Sequence, residues 1–373
     1  MSKSKVSLRT IAERVNVSIA SVSYVLNGKG RMRPEKRQAI QRILREAGYH
    51  PRYKRLPVFY VLNEHGFRDM HAFEPFFRNF HGLSSVFHAE RVTLRPYFLR
   101  LEGASVAGDG LKDLLAMNVG GVLLDASLEE AMVGICQTLC REEVPAVQVG
   151  HVALSPAVDA VVVDSFGGAY DAARFLVGRG HQRIATIRWN VARDPASNRK
   201  FAGFTCALSE AGIPVRPEYV VESPFTKLDG LQPGRVAIAK LLALPVPPTA
   251  VFVENSFISP ALIYPQDTTE RELPADIRAL DMIHFEAWNL EWIEQALAGK
   301  LNYPPRRTRL MRINWEELGR VAARVLLGRM ESRKITAPQI IGLAPRLYEV
   351  DGFEATPIEV PHNTPSLMQR SDV

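Results

Sequence analysis

The sequence predicts a small all-α helix-turn-helix module followed by a large α/β core, in a chain of 373 residues. Residues 1–56 hold fourteen Lys/Arg against three acids, a net charge of +11, and this segment is called the basic cap below. The whole chain is only +6, so the remaining residues are mildly acidic. Apolar residues recur at helical spacing in the cap, whereas strand-like and helix-like runs alternate after it. A positive cap on an acidic body is typical of a protein that docks one end on nucleic acid.

Three short helices are predicted in the cap. The first follows from the apolar spacing of Leu8, Ile11, Ala12 and Val15. Ser18 is expected to cap the second, because its hydroxyl can accept an unpaired backbone N–H at a helix start. Pro34 suits the first position of the third. Three such helices, with a tight turn between the first two, fit the motif whose second helix enters the major groove.

The alternative for the cap is a plain three-helix bundle with a solvated basic face. Against it, the outward face of the second helix is short and nearly uncharged, whereas a solvated face normally carries Lys and Glu. That face consists of Ile19, Ala20, Ser21, Ser23 and Tyr24. Small, hydroxyl and aromatic side chains suit close approach to base edges and phosphates.

The core alternates strands and helices, which predicts a parallel sheet covered on both faces. The predicted strands are Val58–Leu62, Arg91–Leu99, Val119–Leu124, Pro145–Val149, Ala160–Val163 and Arg183–Ile187. The predicted helices are Phe76–Val86, Leu111–Met117, Glu129–Arg141, Gly168–Val177 and Phe201–Glu210. No apolar run reaches the ~18 residues of a membrane span, and the N-terminus has no apolar signal core, so a cytoplasmic protein is expected.

Catalytic and metal-binding chemistry is not expected. The sequence contains no P-loop, no nucleophile-elbow Ser and no HExxH, so we expect neither an enzyme nor a cofactor. Asp281, His284 and Glu286 lie in one strand-like run and give no convergent metal triad. There are three Cys, at 136, 140 and 206. Cys136 and Cys140 share a helix face and are expected to be buried thiols in a reducing cytoplasm rather than a metal or disulfide pair.

Residues 6–27, from Val6-Ser-Leu-Arg to Val25-Leu-Asn27, together with Tyr49-His-Pro51, resemble the DNA-binding domain of LacI-type (lactose-repressor/galactose-repressor) transcription regulators. The resemblance implies that Ile19 and Ala20 read the major groove of an operator. Tyr24 stands where many members have Arg, which removes a bidentate reader of guanine. The DNA-binding residues expected in this chain are Ser7, Leu8, Ser18, Ile19, Ala20, Ser21, Ser23, Tyr24, Asn27, Arg31, Arg33, Arg52, Lys54, Arg55 and Leu56.

The resemblance continues in the core. It rests on Glu74–Leu83, Val119–Leu124, Val163–Ala173, Gly180–Ile184, Gly203–Ile213, Leu318–Ala322 and Leu343–Leu347. It implies a core like a type I periplasmic sugar-binding protein, with two Rossmann-like subdomains, three chain crossovers and a ligand cleft between them. The crossovers are expected near Ala160–Asp164, His284–Glu286 and Arg312–Asn314. The implied boundaries are a DNA-binding domain at 1–56, a core at 57–350 and a tail at 351–373. Within the core, the N-subdomain takes 57–160 and 287–312, and the C-subdomain takes 161–286 and 313–350.

The connector between cap and core departs from the family. Members usually carry a hinge of ten or more residues that folds on the operator and wedges a Leu into the minor groove. Here Pro57 ends the connector almost at once, so the hinge is shortened or absent. Leu56 is either that wedge or a packing residue. Arg52, Lys54 and Arg55 can still hold phosphates.

The expected effector site departs as well. Lys200 replaces the family's ligand-gripping Arg, and Ile283 stands where a sugar-binding Asp is usual. The effector-binding residues expected from the resemblance are Phe76, Asp125, Trp189, Lys200, Asn255, Ser256 and Ile283. The leading hypothesis is a homodimeric repressor that binds a near-palindromic double-stranded DNA operator under the control of a small-molecule effector, a sugar or derivative. The alternatives are a regulator whose core only dimerises, and a small-molecule binding protein with no role at DNA.

Overall fold

A computed structural model provides the fold. It describes residues 7–26, 32–33, 36–37, 39–40, 43–44, 56–64, 70–117, 119–189, 195–223, 232–255, 275–286, 308–331, 337–351 and 354–360. The chain divides into two compact units. Unit 1 comprises 1–161 and 315–340, and unit 2 comprises 162–314 and 341–373.

The basic cap contains two complete helices, α1 at Leu8–Arg14 and α2 at Ile19–Leu26, as the apolar spacing predicts. Residues 36–37, 39–40 and 43–44 are also helical, which places a third helix where the sequence does. One buried cluster joins the three helical segments through Ile11, Ala12, Val22, Val25, Ile40 and Leu44. A cluster of this size suffices to hold a small three-helix module together around one core.

Unit 1 is built on a six-stranded sheet in the order β13-β7-β6-β5-β1-β2. The strands of this sheet are β1 Val58–Asn63, β2 Leu94–Leu99, β5 Gly121–Asp125, β6 Ala146–Gly150, β7 Asp159–Val163 and β13 Ile340–Leu343. The boundary between the units falls inside β7 and after the first residue of β13. A small hairpin joins β3 Leu101–Glu102 to β4 Ser105–Val106. The helices of unit 1 are α3 Met70–Ala89, α4 Gly110–Ala116, α5 Met132–Arg141 and α10 Trp315–Glu331, with a 3-10 helix at Ala126–Ala131. Strand β1 pairs in parallel with β2 and β5, so their carboxyl ends meet at one edge.

Unit 2 is built on a seven-stranded sheet in the order β15-β14-β12-β11-β10-β8-β9. Its strands are β8 Ile184–Trp189, β9 Val220–Ser223, β10 Ala250–Val253, β11 Asp281–Glu286, β12 Thr308–Arg312, β14 Arg346–Asp351 and β15 Glu354–Pro357. Its helices are α6 Ser165–Gly178, α7 Pro195–Glu210, α8 Gln232–Leu242 and the short α9 Ala275–Arg278, with a 3-10 turn at Pro217–Tyr219. Val251 and Val253 pack under α8, so Phe252 and Glu254 face the other side of the sheet, as strand alternation requires.

The subdomain boundaries expected from the resemblance are partly wrong. The chain crosses between the units inside β7 and at 314/315, which are close to two of the expected crossovers, and a third time at 340/341, where none was expected. His284–Glu286 is not a crossover, because β11 lies inside the sheet of unit 2 and pairs with β12. Residues 308–312 therefore belong to unit 2, and 315–340, which carries α10, belongs to unit 1.

The expected C-terminal tail at 351–373 is also wrong in its first part. Strand β15 pairs antiparallel with β14, with Glu349 opposite Thr356, and so extends the sheet of unit 2. The unpaired edge of β14 offers a row of backbone donors and acceptors that this segment satisfies. Residues 361–373 lie outside the described part of the chain. Within the part that the structure describes, no helix is long and apolar enough to cross a membrane.

Candidate nucleic-acid interface and effector site

Two serines and one asparagine set the geometry of the helix-turn-helix. Ser7 caps α1, because its Oγ accepts the backbone N–H of Thr10 at 3.2 Å. Ser18 caps α2 in the same way through Ser21 N at 3.1 Å, as the sequence predicts. Between them Asn16 has φ +48°, a left-handed conformation that Asn tolerates better than most residues. The turn between α1 and α2 is therefore tight.

The outer face of α2 is exposed and carries no charge. Ile19 is 49 % exposed and Tyr24 is 52 % exposed, although both are large and apolar or aromatic. Ala20 lies beside them and is also exposed, while Ser21 and Ser23 are half-buried. Large apolar and aromatic side chains that stay exposed on one face of a helix, while its other face is buried, indicate a surface that contacts another molecule. These five residues form the reading face of the candidate interface.

The other DNA-binding residues divide into three groups. Arg33 is exposed, and its carbonyl accepts the N–H of Arg37 at 3.0 Å where the third helical segment begins. Leu8 is half-buried and packs against the apolar cluster of the cap, so its main role is to hold α1 in place. Five of the expected residues lie outside the described part of the chain and stay predictions: Asn27, Arg31, Arg52, Lys54 and Arg55.

Leu56 is a packing residue, which corrects its place among the DNA-binding residues. Its side chain is only 5 % exposed, and β1 begins two residues later. The neighbouring carbonyl of Pro57 accepts the N–H of Gly120 at 2.9 Å, so the connector is held against unit 1 at its end. A side chain already buried in a folded unit is not free to wedge between base pairs.

We expect Leu56→Ala to lower the free energy of unfolding by about 2 kcal/mol, because it removes a buried side chain and leaves a cavity. Operator affinity and DNA bending, measured below the melting temperature, should change little. Chemical denaturation and a DNA-bending assay on the same variant provide the two readouts. A Leu56→Ala variant that keeps normal stability but no longer kinks DNA would show that Leu56 does insert into the minor groove.

Two expected effector residues, Phe76 and Asp125, meet around Tyr60 in unit 1. The ring of Phe76 stacks on that of Tyr60 with centroids 5.6 Å apart. The Tyr60 hydroxyl is fully buried, donates to the Asp125 carboxylate and accepts from Asn79 Nδ2 at 3.4 Å. Burial, with the Asp125 charge and hydrogen bond, raises the pKa of Tyr60 well above its usual value, so the hydroxyl stays protonated. Asp125 is half-exposed at the end of β5, where parallel strands present ligand-binding groups.

The structure contradicts one of the expected effector residues of unit 2 and leaves others untested. Ile283 is completely buried in β11 and packs in the core, so its assignment to the effector site is wrong. Lys200 is only 3 % exposed, and its ammonium donates to the Glu254 carbonyl at 2.8 Å and lies 4.7 Å from the centre of the Phe285 ring. Asn255 follows β10 and is half-buried, which leaves it a prediction. Ser256 and the side chain of Trp189 lie outside what the structure describes.

Sequence reasoning missed a buried polar cluster at the same edge of the unit 2 sheet. Glu254 is fully buried, its Oε2 accepts the Ser197 hydroxyl at 2.5 Å, and its Oε1 lies 3.4 Å from Arg188 Nε. A signal was present in the sequence, since Arg188 is the penultimate residue of the largely apolar strand Ile184–Trp189 and Glu254 directly follows the apolar strand Ala250–Val253. Charges in such runs are costly unless they are paired, so they mark a pair or a site.

The thiols were predicted correctly in part. Cys136 is buried, and burial raises its pKa to about 11, so it stays a protonated thiol. Cys140 is exposed, so its expected burial is wrong, and Cys206 is half-buried. Among the residues described, no group of three or more His, Cys, Asp and Glu could hold a metal ion.

A capped helix-turn-helix with an exposed reading face, ahead of two α/β units whose sheets are mainly parallel, defines a DNA-binding transcription regulator with a periplasmic-binding-protein-like core. Comparison with known families gives the same result. Residues 7–52 match the model of bacterial regulatory proteins of the lacI family. Residues 106–259 match the model of periplasmic binding proteins and the sugar binding domain of the LacI family. The chain belongs to the LacI family of transcription regulators.

Individual relatives agree with this assignment. The chain is 25 % identical over 287 residues to catabolite control protein A of Priestia megaterium, covering 74 % of this chain and 81 % of that protein. It is 31 % identical over 191 residues to the transcriptional repressor PurR of Yersinia pestis, but this match spans about half of each protein. The fold is similar to that of the lac repressor dimer bound to operator and the anti-inducer ONPF, with a TM-score of 0.55, 18 % identity and coverage of 92 % and 97 %.

Proposed function

We propose that this regulator acts in the cytoplasm as a homodimer on a near-palindromic operator, with α2 of each copy in one half-site. The observation that carries the proposal is the exposed, uncharged face of α2, surrounded in sequence by the +11 charge of the cap. Phosphate contacts by the basic side chains would supply most of the affinity, and the reading face would supply specificity. A two-fold symmetric dimer presents two copies of one helix, which favours two half-sites about one helical turn apart.

The test is a randomised-site selection with the wild-type chain and with a variant in which Ile19 and Ala20 are both exchanged. We expect the variant to select a different sequence while its non-specific binding keeps the same steep salt dependence, because the charges are unchanged. Arg9→Ala is the matched control: it lies on α1, ion-pairs only with exposed Glu13 in the described structure and should leave the selected sequence unchanged. An Ile19/Ala20 variant that selects the wild-type sequence would show that α2 does not read DNA.

The core is proposed to bind a small-molecule effector, a sugar or derivative, which controls operator affinity. Support comes from the sugar binding domain model matched by residues 106–259 and from polar groups at the carboxyl edges of parallel strands in each unit. That edge is where open α/β sheets bind ligands. Control through the shortened connector would act by rigid rotation of the domains rather than by folding of a hinge helix. A core that only dimerises is the alternative, and ligand titration of the full chain separates the two.

A further inference from the structure

We propose that Arg188, rather than Lys200, is the residue of unit 2 that contacts the effector, and that the ligand it accepts is an uncharged, hydroxyl-bearing molecule. The inference rests on the proposed effector function and specifies its site. It starts from the way one guanidinium is held. Arg188 is the penultimate residue of β8, and the described residues fix its side chain on three sides.

The first restraint on the Arg188 guanidinium is the aromatic ring of Phe201. The guanidinium carbon of Arg188 lies 4.2 Å from the centre of the Phe201 ring, on the second turn of α7. Stacking of a planar guanidinium on an aromatic face fixes its plane and costs it little hydration. Phe201 therefore sets the orientation of the fork without using any of its N–H donors.

Two further restraints use two of its nitrogens. Nη2 donates to Asn198 Oδ1 at 2.9 Å and lies 3.4 Å from the Ser197 hydroxyl. Nε lies 3.4 Å from Glu254 Oε1 in a buried ion pair. The third nitrogen, Nη1, has no acceptor among the described residues, and about a tenth of the side chain is exposed. One edge of a rigidly held fork is thus left for a ligand, at the carboxyl ends of parallel strands.

Lys200 is placed differently. Its ammonium donates to the backbone carbonyl of Glu254 and lies over the Phe285 ring. These two contacts connect α7 to the end of β10 and to β11. Only 3 % of the residue is exposed. Lys200 therefore holds elements of unit 2 together. In this proposal the guanidinium that contacts the ligand is supplied by Arg188 on β8 instead of by a residue at the position of Lys200 on α7.

The charge of the pair indicates the class of ligand. Glu254 is fully buried and lies against Arg188, so its carboxylate balances the charge of the guanidinium. A carboxylate or phosphate on the ligand would have to share a cation that already has an anion. A hydroxyl or carbonyl oxygen needs only the N–H donors of Nη1, which have no acceptor among the residues that the structure describes. Glu254, Asn198 and Phe201 are positioning residues in this arrangement, because they act through Arg188.

The experiment is calorimetric titration of the full-length protein with D-glucose, D-ribose and cellobiose as uncharged probes, and with glucose 6-phosphate and inorganic phosphate as charged ones. We expect at least one uncharged probe to bind, and Arg188→Met to weaken it about tenfold or more, as loss of a charge-assisted hydrogen bond does. Arg199→Met is the matched control, since Arg199 is the exposed neighbour on α7 and should leave the affinity unchanged. Asn198→Ala, an exposed position that cannot disrupt the core, should weaken the same probe by a smaller factor even if Arg188→Met fails to fold.

Operator binding is measured on every sample, so that two failures can be told apart. Full binding of an uncharged probe by Arg188→Met or by Asn198→Ala would overturn the assignment of Arg188 while leaving the effector function standing. Binding of charged probes alone would overturn the class of ligand. A wild-type chain that binds operator and none of the probes would remove this proposal together with the effector role. A wild-type chain that binds no operator would instead contradict the proposed function at DNA.

Discussion

Gly319→Ala is expected to lower the free energy of unfolding by about 3 kcal/mol, because the added methyl group has no room. Gly319 lies on α10 against α3, and a Cβ built on it would stand 2.2 Å from the carbonyl oxygen of Asn79. That oxygen belongs to the backbone of a helix and cannot rotate away. The two helices would have to separate. A Cβ built on Gly82 of α3 would likewise stand 2.0 Å from the carbonyl oxygen of Glu316.

The matched control lies on the same helix. A Cβ on Gly328 would meet nothing within 4 Å, and its backbone is ordinary helix. Gly328→Ala should therefore stabilise the protein by about 0.5–1 kcal/mol through helix propensity. Denaturant unfolding of the two single variants gives changes of opposite sign if the packing of α3 on α10 is as described. Equal and small changes for both would contradict the close approach.

The Gly319 contact also bears on the candidate effector site of unit 1. The added methyl group would displace the backbone carbonyl of Asn79. The side-chain amide of Asn79 donates to the Tyr60 hydroxyl, which in turn donates to the Asp125 carboxylate. A shift of α3 also moves Phe76, which stacks on Tyr60. Effector response should thus be impaired in Gly319→Ala even at temperatures where the variant is folded. The glycines and the site are linked by the same helix.

The sequence predicted the elements of this protein better than their assignment to subdomains. Helical spacing identified α1 and α2, and Ser18 was recognised as a cap because capping depends on local chemistry alone. The boundaries of the two units depend on which strands pair, and pairing of β11 with β12 is a long-range property. The same limit applies to β15, whose sequence has few apolar residues and whose strand conformation is fixed by the edge of β14.

The candidate site shows the same division. Exposure of Ile19 and Tyr24 followed from the pattern of α2, since one face of a helix is set by spacing. The pairing of Arg188 with Glu254 could not be foreseen, because the two residues are far apart in sequence and meet only through the register of β8 with β10. Resemblance directed attention to Lys200 and Ile283, whose positions match the family but whose side chains face the interior.

Asp281→Ala is expected to cost about 3–5 kcal/mol of unfolding free energy, because it removes the carboxylate at the centre of a largely buried charge network. The Asp281 carboxylate begins β11 and is only 12 % exposed. Its Oδ2 accepts from Arg179 Nε at 2.7 Å and lies 3.1 Å from His181 Nε2, and its Oδ1 accepts from Arg309. Arg309 is itself 8 % exposed, so the substitution leaves a largely buried guanidinium with Glu349 as its remaining carboxylate partner in the described structure.

An exposed pair of the same length provides the comparison. Lys112 Nζ also lies 2.7 Å from a carboxylate, that of Asp109, but the two side chains are 84 % and 68 % exposed. Lys112→Ala should leave the unfolding free energy nearly unchanged, because water screens the pair and solvates the partner that remains. Because the Arg179–Asp281 and Lys112–Asp109 ion pairs have the same N···O distance, the comparison shows the effect of burial alone. If both variants unfold at the same denaturant concentration, the network around Asp281 does not hold β11 to the end of α6, and the stability of unit 2 must come from its apolar core alone.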